Sequence, residues 1–249
     1  MRAIGLVLVL LLRPLPAVQA FPESLVLQRR LDFAIEQYTL AADNFVQGLT
    51  KVAADFQIPM AIEWVRNVQT SRRIDQSWIH TKVSDIIQSL IEAYPGYEIR
   101  LGEGVMQILA VGAFTDKHDF LNTRVVKFQA KKEWLAVASR RLQFTVQSLI
   151  RPVAPSPPGA GEASSLGVGV GGNRPVTVDF HDATVREILN GLTISATQTT
   201  WVVTYPEDNA LTATGFRRAV DLFSKTVVAD EDQPVWVFVP WGIAVKDPK

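Results

Sequence analysis

One octapeptide pattern occurs twice in this chain and sets what it can fold into. Val83 to Leu90 (VSDIIQSL) and Val185 to Leu192 (VREILNGL) run apolar, polar, acid, apolar, apolar, amide, small, apolar. Apolar residues at this spacing form one stripe of a helix, which needs a partner surface to bury it. Each copy follows an extended run carrying an aromatic (Trp78, Phe180). Each precedes a second extended run, Tyr97 to Ile99 or Trp201 to Val203. A strand–helix–strand unit therefore appears twice. The fold expected is α+β, with small mixed sheets packed against helices.

Around the first copy the pattern is fuller. Phe45, Leu49, Val52 and Phe56 form a helical stripe that Asp43 or Asn44 can cap. Ile58 to Trp64 is a short extended run, and Ile74, Gln76 and Trp78 alternate with polar neighbours. Pro95-Gly96 stops the helix over Lys82–Tyr94. Tyr97–Leu101 and Val105–Val111 flank Gly102-Glu103-Gly104, a hairpin signal. The order is strand, helix, strand, strand, helix, strand, strand. Later segments read as a basic helix over Lys131–Ile150, a strand at Val176–Phe180, and a helix at Thr184–Ala196 opening on a capping box. Strands at Trp201–Tyr205 and Val235–Trp241 follow.

The N-terminus gives an address. Met1-Arg2 precedes ten residues without a polar side chain, Ala3 to Leu12, and Val18 and Ala20 stand before Phe21. That is the pattern of a secretory signal peptide with cleavage after Ala20. Ten apolar residues rise about 15 Å as a helix, half the hydrocarbon thickness of a bilayer. The division expected is a signal peptide at 1–20, a first domain at 21–115, a basic amphipathic helical connector at 116–150, a linker at 151–174, and a second α+β unit at 175–249. The linker is rich in Pro, Gly, Ser and Ala, and its Gly167, Gly169 and Gly172 match GxGxxG. No strand leads into that motif and Pro175 follows it, so cofactor binding is not implied.

The run from Gln37 to Val111 resembles the secretin and TonB short N-terminal domain. Leu40, Leu49, Ala53, Ile58, Ile86, Leu90, Tyr97, Val105 and Ile108 carry the resemblance. The stretch from Val176 to Tyr205 resembles the second half of that domain, a partial repeat. No barrel, plug or pore-forming stretch stands among the 249 residues. The resemblance therefore implies the domain's part alone, docking of envelope proteins in the periplasm.

Chemistry is sparse. The chain has no cysteine, three histidines, and 25 basic against 25 acidic side chains. Thiolate and disulfide chemistry are excluded, as is binding of nucleic acid by bulk charge. Asp179, His181 and Asp182 put carboxylates around a histidine but fall short of a zinc ligand set. His80 and His118 stand apart. No GxSxG, HExxH or SxxK motif occurs. No cofactor is expected.

The pattern as a whole points to an exported, non-enzymatic envelope protein that binds envelope proteins or itself, with no nucleic acid and no membrane span after signal removal. The alternative is a glycan-binding protein or hydrolase using Asp179–Asp182 or the aromatic strands with Trp201, Tyr205, Trp236 and Trp241. Pro59 lacks the amide that a central strand needs, which marks Ala61, Ile62, Glu63, Trp64 and Val65 as a candidate partner-binding edge. Lys127, Lys131, Lys132, Arg140 and Arg141 form a candidate basic patch.

Overall fold

The computed structural model of the chain describes residues 22–65, 69–115, 119–150, 174–205 and 236–241. The elements are α1 (Pro22–Leu31), β1 (Ala34–Ala42), α2 (Phe45–Asp55), β2 (Met60–Val65), β3 (Ile74–Lys82), α3 (Val83–Glu92), β4 (Tyr97–Gly102) and β5 (Val105–Ala110). They continue with β6 (Arg124–Trp134), α4 (Leu135–Ile150), β7 (Pro175–Thr184), α5 (Val185–Ala196), β8 (Thr199–Tyr205) and β9 (Trp236–Pro240). From β1 to β5 the order is that expected from the apolar periods. The fold is mixed α+β. The stretches expected as a signal peptide and, apart from Arg174, as a linker lie outside the described residues.

Local chemistry explains the helix starts. Asn44 Oδ1 accepts the Gln47 amide at 2.8 Å, capping α2. Thr184 and Glu187 close the capping box of α5 at 3.2 and 2.6 Å. Each helix then buries one stripe, Val83, Ile86, Ile87 and Leu90 on α3 and Val185, Ile188, Leu189 and Leu192 on α5.

The sequence echo is a structural repeat. β1 and β3 form an antiparallel ribbon, and so do β6 and β7. The first ladder skips the Glu36/His80 pair and the second skips Val126/Asp182. His80 and Asp182 take φ of 48° and 49°, the same excursion at the same place. Val83 N–H donates to Phe33 O at 3.2 Å, and Val185 N–H to Thr123 O at 3.0 Å. The hairpin β4–β5 closes with Val111 N–H on Gly96 O (2.9 Å), and the pair β8–β9 with Trp241 N–H on Gln198 O (3.0 Å).

The two units share one sheet, ordered β4-β5-β2-β8-β9. Met60, Ile62, Trp64, Met106, Ile108 and Val202 turn to the first unit's helices. Ala61, Val105, Trp201, Val203, Trp236 and Phe238 turn to the second unit's core. The sheet is therefore buried on both faces. The division at 116–174 accordingly does not separate two independent sheets, because β8 pairs with β2 over six residue positions from Met60↔Thr200 to Val65↔Tyr205.

The structure corrects two expectations. The basic helical connector expected at 116–150 holds, among its described residues, a strand followed by a helix. Residues Arg124 to Trp134 form β6, whose Val125, Phe128 and Ala130 enter the second core, and the helix begins only at Leu135. Likewise, Ala61–Val65 is no edge. β2 is the middle strand, parallel to β5 on one side and to β8 on the other. Pro59 stands just before it and uses the half of its peptide group that proline keeps. Its carbonyl accepts the Met106 amide at 2.9 Å.

Candidate functional site: sheet edges and a buried charge cluster

Because β2 is central, Glu63 is carried into the interior, on the sheet face that looks at α5. Arg186, a polar position of the α5 pattern, meets it there. Arg186 Nε and Nη2 donate to Glu63 Oε1 at 3.1 and 2.6 Å, and Nη2 donates to Asp119 Oδ2 at 2.9 Å. The side chains of Glu63 and Asp119 are wholly buried, and that of Arg186 is 3% exposed. Arg186 Nη1 donates to Asn122 Oδ1, and its guanidinium lies over the Phe114 ring, 5.5 Å from the centroid. Arg100 lies over the same ring at 4.3 Å. Asp119 Oδ1 accepts the Leu121 amide at 2.9 Å.

Two carboxylates thus share one guanidinium away from water. Burial pushes the Asp119 carboxyl up to about 7, with the Glu63 charge adding to it and Arg186 opposing it. Glu63 is also raised, by burial against the pull of Arg186 and the Ala110 amide. A second polar link crosses the same junction. Trp201 Nε1 donates to Asn190 Oδ1 at 2.9 Å, and Asn190 Nδ2 donates to Glu103 Oε2 at 3.3 Å. Both links tie the first unit to α5. At 0–3% side-chain exposure the charged cluster is out of contact with water, and its bonds hold the first unit, Asp119 and α5 together.

The places open to a partner are the sheet's ends. In an antiparallel pair, residues alternate between bonding inward and pointing outward. The Val111–Gly96 bond fixes Ile99 and Leu101 of β4 as outward, and the Trp241–Gln198 bond fixes Trp236, Phe238 and Pro240 of β9 as outward. Pro240 fits that side, since its missing amide faces no ladder. Among the described residues no strand pairs with the outer side of β4 or β9. Leu101 is 52% exposed.

The other residues singled out in the sequence lie apart from these edges and from the cluster. Lys127, Lys131 and Lys132 lie on β6, while Arg140 and Arg141 lie on α4. Arg141 is engaged by Glu133 at 2.5 Å and stacks on Phe128 at 4.6 Å; Arg140 lies 5.5 Å from the Phe144 centroid. The patch is thus spread over a ribbon and a helix, with one member ion-paired. His181 Nε2 sits 3.2 Å from Asp179 Oδ1 on the exposed ribbon, and Asp182 pairs with Arg124 at 3.2 Å. Trp201 and Trp236 are core residues, 0% and 3% exposed, so neither offers a face for sugar stacking. Trp241 is half-buried, its Nε1 3.3 Å from Thr200 Oγ1. The side chain of Tyr205 and all of His118 lie outside what is described.

A cleft of about 500 Å³ runs between α1 and the end of α2, lined by Val26, Arg29, Arg30, Phe33, Asp55, Phe56 and Gln57. Two of its charged groups are engaged. Arg30 donates to Gln57 O, and Asp55 Oδ2 accepts Tyr38 Oη and Lys51 Nζ, both at 2.8 Å. Among the described residues no helix is long and apolar enough to cross a membrane.

Sequence reading missed the cluster because Glu63 and Arg186 stand 123 residues apart. The available signal was a lone glutamate within an apolar run, MAIEWV. Comparison with known proteins returned no match, whether by family model, curated sequence or solved structure.

Proposed function

We propose that this chain is an exported envelope protein that works by binding other proteins through main-chain pairing at its sheet edges, without catalysis of its own. The observation that carries the reading is the way the chain joins its own halves. Strand β8 of the second unit adds in parallel to β2 of the first, and the shared sheet then ends in β4 and β9 with main-chain groups turned outward. Edge amides and carbonyls are a template for another strand. The buried placement of the Glu63, Asp119 and Arg186 charges supports the non-catalytic part. The apolar N-terminus and the resemblance to the secretin and TonB short N-terminal domain support the envelope address.

The experiment is fractionation followed by capture from envelope extract. The processed protein is expected outside the cytoplasm, with a bound protein that Leu101→Pro loses while circular dichroism stays unchanged. A full-length cytoplasmic product overturns the address. A bound set that a folded Leu101→Pro variant leaves unchanged overturns edge pairing at β4.

A further inference from the structure

The repeat states what its own edges accept. In the first unit the outer side of β5 is covered by β2, parallel, with Met106 facing Pro59 and Met106↔Met60, Ile108↔Ile62 in register. β9 is the second unit's β5. Counted from the closing bonds at Val111 and Trp241, Trp236 and Phe238 stand where Met106 and Ile108 do. The second unit offers no counterpart of β2 among its described residues. α2 ends at Asp55, whereas α4 runs on to Ile150, past the point where the first unit turns to start β2.

The other end of the sheet makes the converse demand. β4 is the first unit's β8, and β8's outer side is covered by a parallel strand, β2 again. Both edges, unpaired among the described residues, are thus of a kind that elsewhere in this chain takes a parallel neighbour. Their directions agree. β4 is antiparallel to β5, β5 parallel to β2, β2 parallel to β8, and β8 antiparallel to β9, so β4 and β9 run the same way. A second copy in the same orientation would set its β4 beside β9 as a parallel pair and satisfy both edges at once.

We propose that the partner at these edges is a second copy of this chain, joined head to tail with β4 of one copy alongside β9 of the next. This rests on the edge-pairing reading above and adds the identity of the partner. The contact is heterologous, so the product is a ring or an open filament rather than a two-fold dimer. Strand twist carries through the junction and sets which of the two forms.

The test uses purified protein in analytical ultracentrifugation from micromolar to submillimolar concentration. Wild type is expected to grow with concentration beyond a dimer. Leu101→Pro removes an outward amide from β4 at an exposed position, and Phe238→Pro does the same on β9. Each variant alone is expected to stay monomeric, and an equal mixture is expected to form a dimer through the two unblocked edges. Phe238 is buried, so a Phe238→Pro protein that loses its cooperative melt is set aside and Leu101→Pro against wild type decides. A wild type monomeric throughout, a folded Leu101→Pro variant that still assembles, or a mixture of two folded variants that stays monomeric overturns the proposal. Capture of a different envelope protein by a monomeric wild type, lost with Leu101→Pro, overturns self-assembly while leaving the edge-pairing function standing.

Discussion

Replacing Arg186 by methionine strips the only cation bonded in the described cluster from two buried carboxyl groups while keeping much of the side-chain volume. The wild-type arrangement already leans toward holding a proton. Asp119 is raised from 3.8 to about 7, chiefly by burial. The folded state therefore keeps a proton that the unfolded chain releases, and this group lowers stability as pH rises from about 4 to about 7. A tenfold difference in proton affinity between folded and unfolded chain is worth about 1.4 kcal/mol, so the ceiling is about 4 kcal/mol between the two ends of that window. In Arg186→Met the opposing guanidinium is gone, and both Asp119 and Glu63 should move further up. At pH 8, where keeping them neutral is hardest, the expected loss is about 3–5 kcal/mol, the usual cost of breaking a buried pair. At pH 5, below the raised Asp119 value, that carboxyl already holds its proton, and the expected loss falls to about 1–2 kcal/mol of missing hydrogen bonds.

The assay is urea denaturation of both proteins at pH 5 and pH 8, with the slope checked so that a midpoint change reads as stability. Glu63→Gln added to Arg186→Met removes one of the stranded charges and should recover at least half of the pH 8 loss. A loss of equal size at both pH values would refute the reasoning, because it would mean the cluster contributes packing alone. So would a double variant weaker at pH 8 than Arg186→Met.

Three further substitutions probe the second unit. Gly191 lies inside α5, where alanine ordinarily gains about 1 kcal/mol, but a Cβ there would stand 2.3 Å from Phe180 Cζ. Gly191→Ala is therefore expected to lower the urea midpoint, the stability falling by about 1–3 kcal/mol through overpacking, and Phe180→Leu to relieve it; an unaided gain from alanine contradicts this packing. Thr184→Ala opens the α5 capping box and should cost about 1 kcal/mol in the same assay. An unchanged midpoint would show that the box does not hold the helix start.

The elements were legible where one physical signal acted alone. The stripes of α2, α3 and α5, the Gly102–Gly104 turn and the Thr184–Glu187 box are local, and each appears where its residues place it. β6 was hidden by two irregularities. The ladder skips Val126/Asp182 and changes register between Lys131 and Glu133, so the buried Val125, Phe128 and Ala130 fall off the period of two that identifies a strand. Its lysines then read as the start of α4. The cluster was illegible for a different reason. A glutamate between Ile62 and Trp64 looks like the polar side of an edge strand until α5, bringing Arg186 from 123 positions later, covers that face.

The same burial explains why the central strand carries the composition it does. A strand covered on one face alternates apolar and polar residues, but β2 has a core on each side. Met60, Ile62 and Trp64 fill the first unit's core, and on the opposite face Ala61 belongs to the second. The next position on that face, Glu63, is polar, and burying its charge is tolerable only with a partner at hand. Arg186 supplies that partner from the second unit, and the segment that connects the units adds Asp119, a second carboxylate on the same guanidinium. The shared sheet and the charge cluster are therefore one device. The parallel pairing of β8 on β2 takes Glu63 out of water, and the guanidinium brought by the same unit makes that burial stable. Each half of the chain is incomplete without the other at this strand, which is why a sequence that repeats a small unit folds with one sheet rather than two.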